Sequence, residues 1–418
     1  MPSLSDKLKS LGVKVGASHL PVPAPRPADD LLDLTLSGHA YSTSLGETYV
    51  VENRYPAGHP HGLGSLEITA PLDNLAVWAG ASQLRELPPQ AFAFIDTETT
   101  GLSGGTGTYA FLIGAGRFEG NEFHLVQFFM RDPADEPAQL AALEEFLAPC
   151  RALVSYNGKA FDVPLLASRY VSHGWRMSFD NFAHVDLLHL ARRLWRNRLP
   201  SRTLGKIEAQ ILGTQRTGQD VPGWMIPQMY FEYLQTHDPE PLRSVFYHNA
   251  MDVISLAALL NHSAALLAHP LENGAQYGVD LISLAQLFED LGDLDAATSL
   301  YVHGLQHLDA KEERMPREVF LRALDRLALI HKRGSNLEKA LDLWQEAARQ
   351  QHIQAHIQLA KHYEHSARDY PKALFWTEAA IEHLQSGAPA IQAENRMLLA
   401  GLHHRRQRLL NKLNRQNT

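Results

Sequence analysis

Cysteine is almost absent from this chain, which has one, Cys150, among 418 residues. A single cysteine cannot form a disulfide within the chain, and it cannot supply the several thiolates of a structural zinc site. The sequence therefore indicates a reducing compartment, and any metal ion would have to be bound by oxygen or imidazole ligands.

Long apolar runs are also lacking, since we find no stretch of about 20 apolar residues, the length that a helix needs to cross a bilayer. No apolar signal-peptide core follows the opening MPSLSDKLKS, so we expect a cytoplasmic protein that binds no membrane. A net positive charge is missing too, because 46 acidic residues outnumber 38 basic ones. A nucleic acid would therefore bind only where positive charge is local.

The length predicts two or three globular units, and changes in composition divide the chain into four stretches. Residues 1–30 end in a proline-rich linker, and residues 31–90 form a small β-containing accessory region. Residues 91–270 predict an α/β fold, a mixed sheet flanked by helices, with strands in AFAFID, TYAFLIGAGRF, EFHLVQFFMRD and ALVSY. Residues 275–415 predict helices alone.

Acidic residues stand at the ends of apolar segments in the α/β region. Asp96 and Glu98 follow the strand AFAFI at positions i and i+2, so both carboxylates project from one side of the sheet. A strand-end turn with both acids in solvent is the alternative. Asp162 begins an apolar helix, where an acid also complements the helix dipole, and Asp252 lies inside another helix. Together, the four carboxylates favour two divalent ions, Mg²⁺ or Mn²⁺, and phosphodiester hydrolysis.

Three segments resemble the motifs of a known family. DTETTG, YNGKAFD and a final helical aspartate are similar, in order and separation, to the motifs of DEDD exonucleases, which have a ribonuclease H-like fold. ETYVVENRYPAGHPHG and the trailing helical repeats resemble, more narrowly, the YprB-type exonucleases associated with mitomycin repair. The resemblance implies 3′-to-5′ digestion, and it implies the following metal ligands: Asp96, Glu98, Asp162 and Asp252.

The same resemblance implies a substrate and partners: DNA with a free 3′ end, a setting in DNA repair, and a helicase working beside the enzyme. It also implies that the terminal nucleotide contacts Thr99, Thr100, Gly101, Leu102 and Asn157. Gly101 and Asn157 are equally typical of turns. Because nothing in the motifs reads a 2′-hydroxyl, an RNA exonuclease is an alternative, and an adaptor that binds strand ends without cleaving them is another.

The general base is predicted from helix geometry. DEDD enzymes have a histidine five residues, or a tyrosine four residues, before the last aspartate, whereas this chain has Tyr247 at five and His248 at four. On a helix, a position four back lies about 40° away on the same face, and a position five back lies about 140° away. An imidazole also accepts a proton near neutral pH, unlike a phenol. We therefore favour His248 as the base, with Tyr247 as a packed neighbour, if the helix begins before His248.

Local positive charge follows Asp186. Residues 187–206 contain six basic residues and no acid, and on a helix the arginines fall opposite the leucines. This basic face is either solvated or free to bind phosphate. Arg198 and Arg202 are the side chains that we expect to reach the active site.

A spacing pattern recurs in the helical region. A Leu-Ala pair is followed 12 or 13 residues later by a second alanine, at Ala285 and Ala297, Ala328 and Ala340, and Ala360 and Ala373. This pattern resembles tetratricopeptide repeats, helix pairs with a period near 34 residues. Such a solenoid either binds a protein partner on its concave face or braces the nuclease domain.

Overall fold

The computed structural model describes residues 30–101, 107–273, 277–307, 315–386 and 396–416. These residues form an α/β part and then an all-helical part, as the sequence predicts. The strands are β1 (His39–Thr43), β2 (Gly46–Pro56), β3 (Pro60–His61), β4 (Gly64–Ser65), β5 (Phe92–Thr99), β6 (Ala110–Glu119), β7 (Glu122–Phe129), β8 (Ala152–Ser155) and β9 (Ala183–Asp186).

The helices of the α/β part are α1 (Asp30–Leu36), α2 (Asp73–Ala79), α3 (Glu136–Leu147), α4 (Asp162–Ser172), α5 (Leu187–Trp195), α6 (Leu204–Ile207), α7 (Ile226–Thr236), α8 (Leu242–Ala268) and α9 (Pro270–Asn273). The basic segment of residues 187–206, which the sequence analysis treats as helical, contains two helices, α5 and α6. α5 ends before Pro200, a residue that disfavours helical backbone in the residue before it. A π-helical turn, Glu208–Leu212, continues α6.

Seven strands form one sheet in the order β1-β2-β7-β6-β5-β8-β9. Strands β2, β7, β6 and β5 pair antiparallel, whereas β5, β8 and β9 pair parallel. The interior strand β5 is apolar and fully buried over Phe92–Ile95. Because the carboxyl ends of parallel strands meet at one edge, residues just after β5, β8 and β9 come together there, where ligands bind in open α/β sheets.

Two strands at one edge of the sheet, β1 and β2, come from residues 31–90. β2 pairs with β7 from Tyr49 opposite Phe129 to Pro56 opposite Glu122, and β1 pairs with β2. This part of the accessory region therefore extends the main sheet. The hairpin β3–β4 is not part of this sheet. It contacts the π-helical turn, where the Leu63 N–H donates to the Leu212 carbonyl at 2.6 Å.

Helix α8 crosses β5 and β6 at close range. A Cβ atom on Gly114 would lie 2.3 Å from Asn249 Oδ1, and one on Gly116 would lie 3.0 Å from Val253 Cγ1. Only glycine therefore allows the helix to approach the sheet this closely. The close approach brings Asp252 beside the end of β5.

α8 also corrects the expectation about long apolar segments. It is long and apolar enough, by length and composition, to cross a membrane. Most of its apolar window is buried inside the protein, against the sheet and the neighbouring helices. A helix that is apolar on nearly every side is typical of a protein core as well as of a membrane.

The all-helical part consists of α10 (Gly278–Leu291), α11 (Leu294–Gln306), α12 (Arg317–Arg333), α13 (Leu337–Arg349), α14 (Ile353–His365), α15 (Tyr370–Ser386) and α16 (Arg396–Gln416). The first six form three consecutive pairs, and each spaced alanine pair of the sequence pattern falls on the two helices of one pair. All six of these alanines are fully buried. Small residues are required where two helices of a pair approach each other, which explains the spacing.

Candidate active site

The site begins at the end of β5, where buried strand residues give way to half-buried ones. Asp96 and Glu98 are two residues apart on this strand, which places both side chains on the face covered by α8. The Asn249 side-chain amide donates to Asp96 Oδ2 at 3.0 Å and to the Asp96 carbonyl at 3.3 Å. Helix α8 therefore fixes the orientation of the Asp96 carboxylate.

Asp162 reaches the same place from the turn after β8. Asn157 adopts a left-handed backbone conformation with φ of 70°, and its N–H donates to the Asp186 carboxylate at 2.8 Å. The same carboxylate accepts the Lys159 N–H at 3.2 Å, so the turn is fixed on β9. Thr97 Oγ1 then donates to Asp162 Oδ1 at 2.5 Å, which ties the start of α4 to β5.

His248 and Asp252 lie one turn apart on α8, which begins at Leu242, well before His248. His248 Nε2 lies 3.5 Å from Asp252 Oδ2. The Tyr247 hydroxyl instead accepts the Thr217 N–H at 3.0 Å. The helix thus meets the condition on which the choice between the two neighbours rests, and it brings His248 to the carboxylates and turns Tyr247 elsewhere.

The pKa values of all four carboxylates are raised, chiefly by burial. Burial, followed by repulsion from the other acids, holds the pKa of Asp96 well above its usual range and raises the pKa of Glu98 to about 8. Burial also raises the pKa of Asp162 to about 6, and it raises the pKa of Asp252 against the attraction of Arg216. Crowded, desolvated carboxylates of this kind are stabilised by cations.

This donor set fits divalent metal ions. Ligand atoms of Glu98, His248 and Asp252 all lie within 4.8 Å of one another. Asp96 and Asp162 add carboxylate oxygens to the same cluster, as their mutual repulsion shows. Hard ions such as Mg²⁺ and Mn²⁺ prefer oxygen ligands of this type.

Three further charged residues complete the site, and no sequence motif pointed to them: Glu208, Arg216 and Asp220. Glu208 Oε1 and Oε2 each accept from Arg216 at 2.7 Å, and Arg216 also contacts Asp252. Asp220 Oδ1 lies 2.7 Å from His248 Nδ1. Because a carboxylate only accepts hydrogen bonds, we place the proton on Nδ1, which leaves Nε2 free on the side of Asp252.

A cleft of about 790 Å³ lies beside Glu208, Arg216, Asp220, His248 and Asp252. The cleft is lined by residues 203–205, 208–209, 214–216 and 220–223, together with His248 and Asp252. The π-helical turn places the buried Glu208 at the base of this cleft. Local π-helical geometry is frequent at functional sites.

Several residues predicted to contact the substrate form hydrogen bonds with nearby backbone groups. Thr99 Oγ1 donates to the Gly101 carbonyl at 3.0 Å, and Thr100 Oγ1 accepts the Tyr109 N–H at 3.0 Å, so both threonines shape the turn beside the acids. Leu102 lies outside the described residues. Arg202 donates to the carbonyls of Leu199 and Pro200, back onto its own loop.

Arg198, which the sequence predicts to reach the active site, lies instead against the all-helical part. Its Nε lies 2.8 Å from Asp280 Oδ2, and its guanidinium lies 4.2 Å from the centre of the Tyr277 ring. Arg193 likewise pairs with Asp290 of α10. Arg193 and Arg198 therefore hold the helical part against the α/β part, because acids of α10 supply their counter-charge.

Comparisons with known proteins agree with this architecture. Residues 93–264 match the model of the RNase_H superfamily, a range that includes all four carboxylates and His248. The chain is also 33% identical over 344 residues to the uncharacterized protein YprB of Bacillus subtilis (strain 168), a match that covers 79% of each chain.

Proposed function

Because the chain belongs to one family with YprB and carries a ribonuclease H superfamily domain, a membership that indicates a nuclease, we propose that it is a metal-dependent 3′-to-5′ exonuclease. One observation carries this proposal. Four carboxylates from β5, α4 and α8 converge at one edge of the sheet, with an imidazole one helical turn from the last of them. Convergent acids beside a histidine are suited to phosphodiester hydrolysis.

The residues that would hold two Mg²⁺ or Mn²⁺ ions are the four acids: Asp96, Glu98, Asp162 and Asp252. Bound ions of this kind activate water and stabilise the negative charge of the leaving oxygen. The protein fixes the acids before any ion arrives, through Asn249 on Asp96 and Thr97 on Asp162. This preorganisation reduces the entropy that binding and reaction would otherwise lose.

His248 would act as the general base. The proton on Nδ1 is held by Asp220 at 2.7 Å, so Nε2 is the nitrogen that can accept a proton inside the cleft. Asp220 would also stabilise the imidazolium that results, since it places a negative charge beside it. Asp220 is therefore a positioning residue in this proposal.

The substrate would be DNA with a free 3′ end, in a repair setting with a helicase as partner. The support for polarity, repair and the helicase is the likeness of the motifs to DEDD and YprB-type exonucleases. The cleft itself supports only a nucleic-acid strand, because none of the residues that line it identifies the sugar.

Digestion of matched DNA and RNA strands tests the proposal. Each strand would carry a label at the 5′ end or at the 3′ end, and each would be incubated with Mg²⁺, Mn²⁺ or EDTA. We expect 5′-labelled DNA to shorten progressively and 3′-labelled DNA to release a labelled mononucleotide at once, with no product in EDTA. Cleavage of RNA alone would replace DNA as the substrate, and strand binding without cleavage would favour an end-binding adaptor.

A further inference from the structure

Arg216 is a cation at the centre of an otherwise acidic cleft. Its Nε and Nη2 atoms donate to the two oxygens of Glu208, both at 2.7 Å. Glu208 is 2% exposed and Arg216 is largely buried. A two-point bond between a planar guanidinium and a buried carboxylate is rigid, so Glu208 fixes the position of Arg216.

The remaining donors of Arg216 lie beside the catalytic residues. Nη2 also contacts Asp252 Oδ1, the oxygen that does not face His248. Nη1 lies 3.1 Å from His248 Nδ1, but that nitrogen already carries the hydrogen that Asp220 accepts at 2.7 Å. Nη1 therefore keeps one long contact, 3.5 Å to Asp220 Oδ1.

An anion in the cleft would satisfy Nη1 better than its one long contact with Asp220 does. Since Arg216 already occupies both oxygens of Glu208, the bond between these two residues is complete without Asp252 or His248. Guanidinium N–H groups aimed into a cleft are typical ligands of phosphate oxygens, which they bind through two parallel hydrogen bonds. In the proposed substrate, the phosphodiester is the group with this chemistry.

We propose that Arg216 binds the phosphate of the nucleotide being cleaved, and that Glu208 is the positioning residue that holds it. This inference rests on the proposed nuclease function and adds a catalytic residue to it. Arg216 is a fixed positive charge of the protein, separate from the charge that metal ions supply. Phosphate clamps of this kind stabilise charge that develops during transfer.

A counter-ion role is the contrasting possibility, in which Arg216 only neutralises Asp252 until a metal ion displaces it. The two roles predict opposite effects of removing the charge. A phosphate ligand is needed for cleavage and strand binding, so its loss weakens both. A counter-ion competes with the metal, so its loss tightens metal binding and leaves strand binding unchanged.

The experiment compares wild type with Arg216→Gln and Arg216→Lys, and uses Arg243→Gln as a control that removes an exposed arginine of α8 outside the cleft. Thermal melting first establishes that each variant is folded. Single-strand DNA binding is measured in EDTA at several salt concentrations, Mn²⁺ binding is measured by calorimetry, and kcat is measured in Mg²⁺. Arg216→Lys keeps the charge but loses the two-point bond, so it remains informative if Arg216→Gln does not fold.

We expect Arg216→Gln to lower kcat by about 10²–10³-fold. We also expect it to reduce the slope of log binding constant against log salt by about 0.7, the contribution of one phosphate contact on a single strand. Arg216→Lys should retain the slope and lose most of kcat, and Arg243→Gln should match wild type. Tighter Mn²⁺ binding with an unchanged salt slope would overturn the inference and leave the nuclease proposal standing. A wild type that neither binds nor cleaves any strand would overturn both.

Discussion

His248 Nε2 and Asp252 Oδ2 lie 3.5 Å apart on consecutive turns of α8. The i, i+4 spacing places both side chains on one helical face, and the helix begins early enough for that spacing to hold. The neighbouring Tyr247 is turned away and accepts a backbone N–H from Thr217. Helix geometry therefore places the imidazole, and not the phenol, beside the last carboxylate, which supports His248 as the proposed base.

Exchanging the two neighbours for inert side chains should separate their roles. We expect His248→Gln to lower kcat by about 10²–10⁴-fold, because the variant loses the proton acceptor. Tyr247→Phe keeps the ring and loses one exposed hydrogen bond, so kcat should change by less than about threefold. Steady-state rates on one DNA strand measure both. Equal losses in the two variants would argue against His248 as the base.

Asp220→Asn tests the positioning of the imidazole. An amide can present its own N–H toward Nδ1 and favour the other tautomer, in which Nε2 carries the proton and cannot accept one. We expect kcat to fall by about 10–10³-fold while strand affinity in EDTA stays at the wild-type value. Nitrogen chemical shifts of the His248 ring report the tautomer directly. A fall in kcat with an unaltered tautomer would assign Asp220 a different role.

Glu98 makes the stability of the metal-free protein depend on pH. Its pKa is raised by burial from the usual 4.5 to about 8. Between these values the folded protein holds a proton that the unfolded chain has released, so stability falls as the pH rises toward 8. In EDTA at pH 8 we expect Glu98→Gln to be about 1–3 kcal/mol more stable than wild type, and the difference should shrink as the pH is lowered toward 5.

The same melting curves with metal provide the control. Mg²⁺ or Mn²⁺ should raise the melting temperature of wild type at pH 8 more than that of Glu98→Gln, because the ion replaces the missing positive charge. Parallel melting temperatures of the two proteins at every pH, with and without metal, would contradict the crowding of the four carboxylates.

Arg198 is predicted to stabilise the contact between the two parts of the chain. Arg198→Ala removes an ion pair with Asp280 and the stacking on Tyr277, so we expect a loss of about 1–3 kcal/mol. Cleavage per folded molecule should stay within about twofold of wild type, because the side chain does not line the cleft. A double-mutant cycle with Asp280→Asn should show coupling between the two positions. A raised KM without loss of stability would restore Arg198 as a substrate ligand.

The carboxylates could be found from sequence because each belongs to a short local motif. Asp96 and Glu98 are two positions apart and follow an apolar run, a pattern that indicates the end of a buried strand. Asp252 stood out as an acid within an apolar helix. The layers of the fold were predictable for the same reason, since strand and helix periodicity are local properties.

Glu208, Arg216 and Asp220 could not be found this way. None of the three belongs to a recognisable local motif, and they come together only when the π-helical turn and the loop after it fold over α8. Arg198 illustrates the same limit for a residue that the sequence did single out. A basic helix face indicates that an anion is needed, but the sequence cannot tell phosphate from Asp280, which is 82 positions away in the chain.

The central claim is that the converged carboxylates carry the cleavage chemistry, and the most direct test is single-turnover digestion of a 5′-labelled DNA strand by wild type and Asp252→Asn. The asparagine keeps the shape of the side chain and removes its charge. We predict a Mg²⁺-dependent ladder for wild type and a loss of at least about 10²-fold for the variant, with unchanged folding and strand binding. Cleavage by Asp252→Asn at the wild-type rate, or by wild type in EDTA, would contradict the account.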